Sequence, residues 1–479
     1  MNRTFATTLL FGVLVSAPAW AETFTVPKEE AWRAARPKPG APREPALPSF
    51  QKATLSNGLT LLVAESESLP LVSFSLVIKG GAAVDPPGKA GLTSLTYAML
   101  DEGAGDLDAL AFADRLADLG AGFGAASDRD SGALSISGLS RNGDPMLGLL
   151  ALAATQPRLQ ATDFERVKAQ TLAAMERRRS SPQGLAFEEL PAILYGADHP
   201  LGHPPTGSPA SVSPLTLDDV KAQHQKIFGP KSAALIVSGA IGLDAAKALA
   251  ETHLGKWQSG AEPPPAIPGK QAEPRKTVII IDKAPAPQTV AILARPIFGR
   301  GHPDEVPLTL ANVIFGGAFT SRLNLNLRED KGYTYGAGSQ AIFRQGVGAF
   351  VAMSALRQDA TALGLKETFK ELEGMKKKPP SKVEIDDAKS SLIRSLTGDF
   401  ETNAAIAGAA AGIFVNDLPL DYFQKLPERY AKVSVADIRR VSSAYLAPNL
   451  MKVVLVGDQA VIGPTLAPLK LGTLEVRKP

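Results

Sequence analysis

Arg328 and Tyr335 stand seven positions apart on either side of Gly332. Arg328 falls in the last turn of a helix that begins near Ser321 and carries Leu323, Leu325 and Leu327, with Gly332 as a natural stop. Tyr333-Thr334-Tyr335 then opens a strand, with the two tyrosines expected on one face. The chain reverses at the glycine, so a guanidinium and a phenol can point into one space. The first is a fork of donors that stays charged; the second is a neutral donor on a stiff ring. Ordinary uses compete with this one. Arg328 can pair with Glu329 or Asp330 or cap the helix, and Tyr335 can pack in the strand.

Other chemistry is scarce. The chain has no cysteine, which excludes disulfides, thiolate metal sites, iron–sulfur clusters and a cysteine nucleophile. Five histidines remain. His199 and His203 are the one close pair, but Pro200, Pro204 and Pro205 forbid a helix that would stack them on one face, so they read as a loop. His224, His253 and His302 are isolated and read as surface or capping residues. Gly120-Ala121-Gly122-Phe123-Gly124 follows a helix expected over Leu107 to Leu119. A dinucleotide loop must follow a strand, so this one reads as a turn. Asp128, Asp130 and Asp101-Glu102 lack the spacing of a calcium loop, and Arg177-Arg178-Arg179 is a solvated helix end. A serine nucleophile at Ser94 would need a base, and no histidine lies near it in sequence.

The 479 residues carry 51 Lys+Arg against 48 Asp+Glu, a net charge of +3 that rules out holding nucleic acid by bulk charge. With 44% hydrophobic residues the chain is not intrinsically disordered, and its length predicts more than one domain. Arg3, the apolar run Leu9 to Ala17 and Ala19-Trp20-Ala21 make residues 1–21 an expected cleavable signal peptide, and hence a periplasmic location. No later stretch is long and apolar enough to span a membrane. Residues 22–49 read as a Pro-rich tether, and 260–275 (GAEPPPAIPGKQAEPR) as a linker between two domains, 50–259 and 276–479.

The two sides of that linker can be laid over one another. Each opens with alternating apolar strands: Thr60 to Val63 with Val72 to Lys79, and Val278 to Asp282 with Thr289 to Arg295. Each then has a long amphipathic helix, Asp163 to Arg179 or Glu384 to Leu396. Each ends on a helix, a proline and an apolar strand. Pro230 to Gly239 and Pro448 to Gly457 are both nine steps, and Asp219 and Asp437 both precede their proline by eleven. The fold class is therefore α+β, as two tandem homologous domains with strands first.

The segment Leu71 to Gly103 resembles the insulinase/pitrilysin family of zinc peptidases, which includes the mitochondrial processing peptidase: a strand ends at Gly80-Gly81, a Pro86-Pro87-Gly88 turn follows, and a helix starts near Gly91-Leu92. In that family the helix carries His-x-x-Glu-His, and a later helix adds a glutamate. Matched position by position, the two histidines fall on Ser94 and Ala98, the catalytic glutamate on Tyr97, and the late glutamate on Ala174. The resemblance thus implies a chain without catalytic zinc. Phe315 to Ser339 resembles the same family's Gly-Gly-x-x-x-Ser-Arg-Leu helix with its Arg and Tyr. That likeness implies that Arg328 holds a substrate carbonyl and Tyr335 donates to the developing oxyanion. It further implies mostly antiparallel sheets covered by helices and a clamshell chamber shared with a partner chain. Bacterial members include two-chain enzymes in which one subunit supplies zinc and the other the Arg/Tyr pair. This chain looks like the second kind, a non-catalytic subunit beside a zinc-bearing paralogue, acting on peptides or unfolded proteins. A scaffold or binding protein of the same fold, with no part in hydrolysis, is the alternative.

Overall fold

The computed structural model describes residues 27–34 and 47–478. The expected signal segment and most of the tether lie outside these residues; the described piece of the tether is a 3-10 helix, Lys28–Ala34. From Leu47 onward the described residues form one compact unit.

The first sheet contains β1 (Gln51–Thr54), β2 (Thr60–Glu65), β3 (Leu71–Lys79), β4 (Gly122–Ser127), β5 (Ser131–Leu139) and β6 (Ala233–Gly239), in the order β1-β2-β6-β3-β5-β4. All neighbours are antiparallel except β2 and β6. β3 and β6 are rich in apolar residues and buried almost end to end, as central strands covered on both faces are, with Ser73, Ser75 and Ser238 the buried polar exceptions. The second sheet contains β7 (Thr277–Asp282), β8 (Gln288–Phe298), β9 (Thr334–Ile342), β10 (Val347–Arg357), β11 (Lys452–Gly457) and β12 (Thr473–Arg477), in the order β9-β10-β8-β11-β7-β12. Read from the other edge, five of its strands repeat the first sheet: β7 matches β2, β11 matches β6, β8 matches β3, β10 matches β5 and β9 matches β4. The parallel pair recurs too, as β7 with β11. Only the outermost strand differs: β1 precedes its neighbour in sequence, whereas β12 returns from the C-terminal end.

The helices repeat in the same way. The first half has α1 (Leu92–Tyr97), α2 (Ala161–Arg179), α3 (Pro182–Tyr195) and α4 (Leu217–Ile227); the second has α5 (Lys382–Gly398), α6 (Asn403–Val415) and α7 (Val435–Tyr445). The matched aspartates Asp219 and Asp437 close equivalent capping boxes with Thr216 and Ser434 at the starts of α4 and α7.

Two helices cross between the halves. The apolar face of α3 (Leu190, Leu194, Tyr195) packs on β8 and β11 of the second sheet, and α6 packs on β3 and β6 of the first. The largest buried cluster therefore joins Leu62, Val77 and Ile236 to Ile406, Ala410 and Ile413. This exchange makes residues either side of the proline-rich stretch one body rather than two beads.

Two local readings need correction. The glycines after residue 119 are only partly a turn: Gly120 has φ +58°, but Gly122 and Gly124 already lie in the edge strand β4. The helix before them starts at Ala109, because Leu107–Asp108 pair as a short strand with Gly103–Ala104.

Candidate functional site

Ser321 starts an α-helical turn, Arg322–Asn324, that widens into a π-helix, Leu325–Asp330. Leu323 and Leu327 are buried in the core and fix the inner side of this segment. On its outer side Arg322 forms a two-pronged pair with Glu384 of α5 (Nε to Oε1 2.6 Å, Nη2 to Oε2 3.0 Å) and also donates to the Lys378 carbonyl at 3.0 Å. Glu384 is held down to about 2 by that guanidinium. Gly332, at φ +61°, turns the chain into β9.

The strand then departs from simple alternation. The register slips between Thr334 and Ala337, where Thr334 Oγ1 donates to the Ala355 and Gly336 carbonyls at 2.8 and 2.9 Å and accepts from the Gly336 N–H at 3.1 Å. Tyr335 is thrown outward and is 85% exposed, while Tyr333 packs against the core. The expectation that both tyrosines share a face therefore fails, because the bulge breaks the period of two.

Arg328 lies against Tyr335: its guanidinium carbon is 4.9 Å from the phenol ring centroid. It is equally close, 4.7 Å, to the ring of Phe319, which is 62% exposed. The cation is thus held between two open aromatic rings, which favours it over free rotation in water. Its Nε also meets Glu329 Oε1 at 3.2 Å, so the pairing weighed from sequence is present alongside the clamp. Asn324 ties the two arms together: its Nδ2 donates to the Phe319 carbonyl at 2.7 Å, and its Oδ1 accepts from the Ala337 N–H at 3.1 Å. Sequence reasoning missed Phe319 and Asn324. Both sit at unconstrained positions of the Gly316 to Leu327 stretch, and only an aromatic followed by an arginine nine positions on hinted at them.

The first-half constellation is also assembled, without the chemistry. Asp85 receives the N–H groups of Gly91 and Thr93 at 2.7 and 2.8 Å and so holds the start of α1. Gly91 (φ +93°) has no room for a side chain, since a Cβ would lie 2.4 Å from the Thr206 carbonyl oxygen. Ser94 and Ala98 are half-buried on α1, which packs on α2 where Ala174 sits. Tyr97 is fully buried. Its ring lies 5.3 Å from that of Phe228 and fills the space over Gly132, where any Cβ would come within 2.1 Å of its Cζ. Burial and the neighbouring Asp128 push its phenol far above the ordinary value, and its hydroxyl has no hydrogen-bond partner. Serine, tyrosine and two alanines provide no imidazole or carboxylate, so these four positions do not fit zinc. Among the described residues no three His, Asp or Glu gather as a metal site.

The histidines have other work. His199 Nε2 contacts the Pro268 carbonyl at 3.1 Å, and its Nδ1 accepts from the Leu201 N–H. His203 Nδ1 meets the Pro204 carbonyl at 3.0 Å. His224, expected as a surface or capping residue, is packed rather than exposed: its ring stacks 4.3 Å from Phe228, burial lowers its pKa, and its Nε2 meets the Ala154 carbonyl at 2.9 Å in the last turn of the helix Gly143–Thr155. His253 pairs with Asp144 at 2.7 Å, and His302 stacks on Phe298.

Known proteins share this plan. Residues 61–204 match the family described as insulinase (peptidase family M16), and residues 214–392 match the peptidase M16 inactive domain. The crystal structure of a peptidase M16 inactive domain from Pseudomonas fluorescens superposes with a TM-score of 0.80 at 30% identity, covering 85% of this chain and 98% of that one. A non-peptidase homolog, YmxG, of Helicobacter pylori is 24% identical over 83% of this chain and 92% of its own length. The zinc protease PqqE of the same organism is also 24% identical, over 83% of this chain and 90% of its own.

Proposed function

Because the chain belongs to the insulinase (M16) peptidase family, we propose that it is the substrate-positioning subunit of a periplasmic, two-chain zinc endopeptidase acting on peptides or unfolded proteins, with the zinc carried by a paralogous partner. The chain itself is a non-catalytic member of the family. One observation carries the reading: the zinc-motif positions hold Ser94, Tyr97, Ala98 and Ala174, while Arg328 is still clamped against an exposed Tyr335. Loss of selection on the whole fold would erode both sites together. Here one is filled in and the other is kept presented to solvent.

In the assembled chamber Arg328 would orient a peptide carbonyl, and the Tyr335 hydroxyl would donate to the oxygen as it gains charge. Phe319 would keep the guanidinium from swinging away. The pairing of Arg328 with Glu329 favours a second reading, in which the segment is a rigid scaffold with no part in hydrolysis.

The two readings separate on turnover. The purified chain should be inactive on unfolded peptides, and activity should appear when it is mixed with a zinc-bearing paralogue of the family. Arg328→Ala should abolish most of that gain. A mixture that works equally well with Arg328→Ala would leave the scaffold reading standing.

A further inference from the structure

α3 packs mainly on β8 and β11, and between it and the β9–β10 flank of the second sheet lies a groove of about 750 Å³. One wall is Phe187, Leu190 and Leu194 of α3; the floor is Gly338, Gln340 and Met353. The groove starts at Gly336, beside Tyr335, and runs along β9 to Arg344 in the following turn. Eight strand steps make that about 26 Å.

The far end is charged in one sense only. Arg129, from the β4–β5 turn of the first half, and Arg344 both line it, and no carboxylate does. Arg129 donates through Nη1 to the Leu201 and His203 carbonyls at 3.2 and 2.7 Å, which fixes its direction. Burial chiefly, with a smaller contribution from the Arg344 charge, lowers Arg129 to about 10. The nearest acid, Asp130, meets Arg344 at 3.5 Å from the opposite side, where it lines the corresponding cavity on the first sheet with Asp128. The two grooves are thus related by the internal repeat and share Arg344, but only this one adds Arg129 and has no carboxylate in its lining.

We propose that this groove holds an extended peptide whose free C-terminal carboxylate docks on Arg129 and Arg344. The proposal rests on the peptide-handling reading above and names the end of the substrate that this chain grips. Guanidinium forks match a carboxylate. Leu190, Leu194 and Phe187 receive apolar side chains. Gln340 on the floor, with the free edge of β9, supplies hydrogen-bonding groups that a peptide backbone satisfies and an alkyl chain does not.

The test uses the full chain without any partner. An N-terminally labelled octapeptide of alternating leucine and alanine is titrated by fluorescence anisotropy as its free acid and as its carboxamide. The free acid is expected to bind at least tenfold more tightly, and the difference is expected to collapse in Arg129→Gln and Arg344→Gln. No partner and no turnover enter this assay, so failure of the carboxylate site is told apart from failure of the Arg328 and Tyr335 clamp, which only turnover reads. The acid–amide comparison on the unaltered chain needs no folded variant, and Arg344→Lys, which keeps the charge and loses the fork, should retain part of the preference. Equal binding of acid and amide overturns the proposal. So does a preference that survives both glutamine variants. Displacement of the label by lauric acid, with no acid–amide difference, assigns the groove to alkyl chains instead.

Discussion

At Tyr97, the position that the resemblance matches to a catalytic glutamate, a phenol hydroxyl is sealed from water with nothing to bond. A buried donor in that state costs on the order of 1–3 kcal/mol. Tyr97→Phe keeps the ring over Gly132 and deletes the orphan, so urea unfolding should show a gain of about 1 kcal/mol. A loss would mean that the hydroxyl has a partner in solution. Gly132→Ala should do the reverse, since its Cβ has no space against that ring. At this scale the sequence was readable where chemistry ties two residues together at a fixed spacing, as with Arg328 and Tyr335. It was silent on Phe319, whose role depends on the chain folding back over the guanidinium.

The helical segment that carries Arg328 is anchored to α5 by Arg322 and Glu384. Glu384 is held at about 2, below its usual 4.5, so the pair stabilises the fold above pH 4.5 and the contribution disappears as pH falls through about 2. The Glu384 side chain is 34% exposed, and screening by solvent leaves about 1 kcal/mol of the nominal value. Arg322→Lys, which loses the fork, should lower Tm at pH 7 and converge on the parent as the pH approaches 2. A pH-independent difference would show that the arginine acts through packing alone. Strands and long helices were legible as elements because their apolar periods differ. The bulge at Thr334–Ala337 was not, since Tyr-Thr-Tyr-Gly reads as ordinary alternation until Thr334 turns its hydroxyl onto the backbone. The crossing of α6 to the other sheet was hidden too: Asn403–Val415 is almost uniformly small and apolar and does not say which sheet it covers.

For the whole molecule, the junction of the halves concentrates charge. Asp130 of the first half is raised to about 6 by burial, which outweighs its contact with Arg344 of the second. Its folded value exceeds its unfolded 3.8, so the contribution to stability is complete below pH 3.8 and is lost as pH rises through about 6. Asp130→Asn should therefore raise Tm at pH 8, by an amount equivalent to at most about 3 kcal/mol, and make no difference near pH 4. A variant less stable at pH 8 would show that the ion pair with Arg344 dominates. The tandem repeat was legible from matched prolines and aspartates; the interlocking of its copies through α3 and α6 was not.

The central claim is that this chain grips a peptide that another chain cuts. The most direct measurement is kcat/KM of the reconstituted pair with Tyr335→Phe, a change that removes one hydroxyl from an exposed ring and leaves the core untouched. Loss of a single oxyanion donor costs roughly a hundredfold or more, and a fall of that size with assembly unchanged is the predicted result. Full activity with the phenylalanine variant would contradict it.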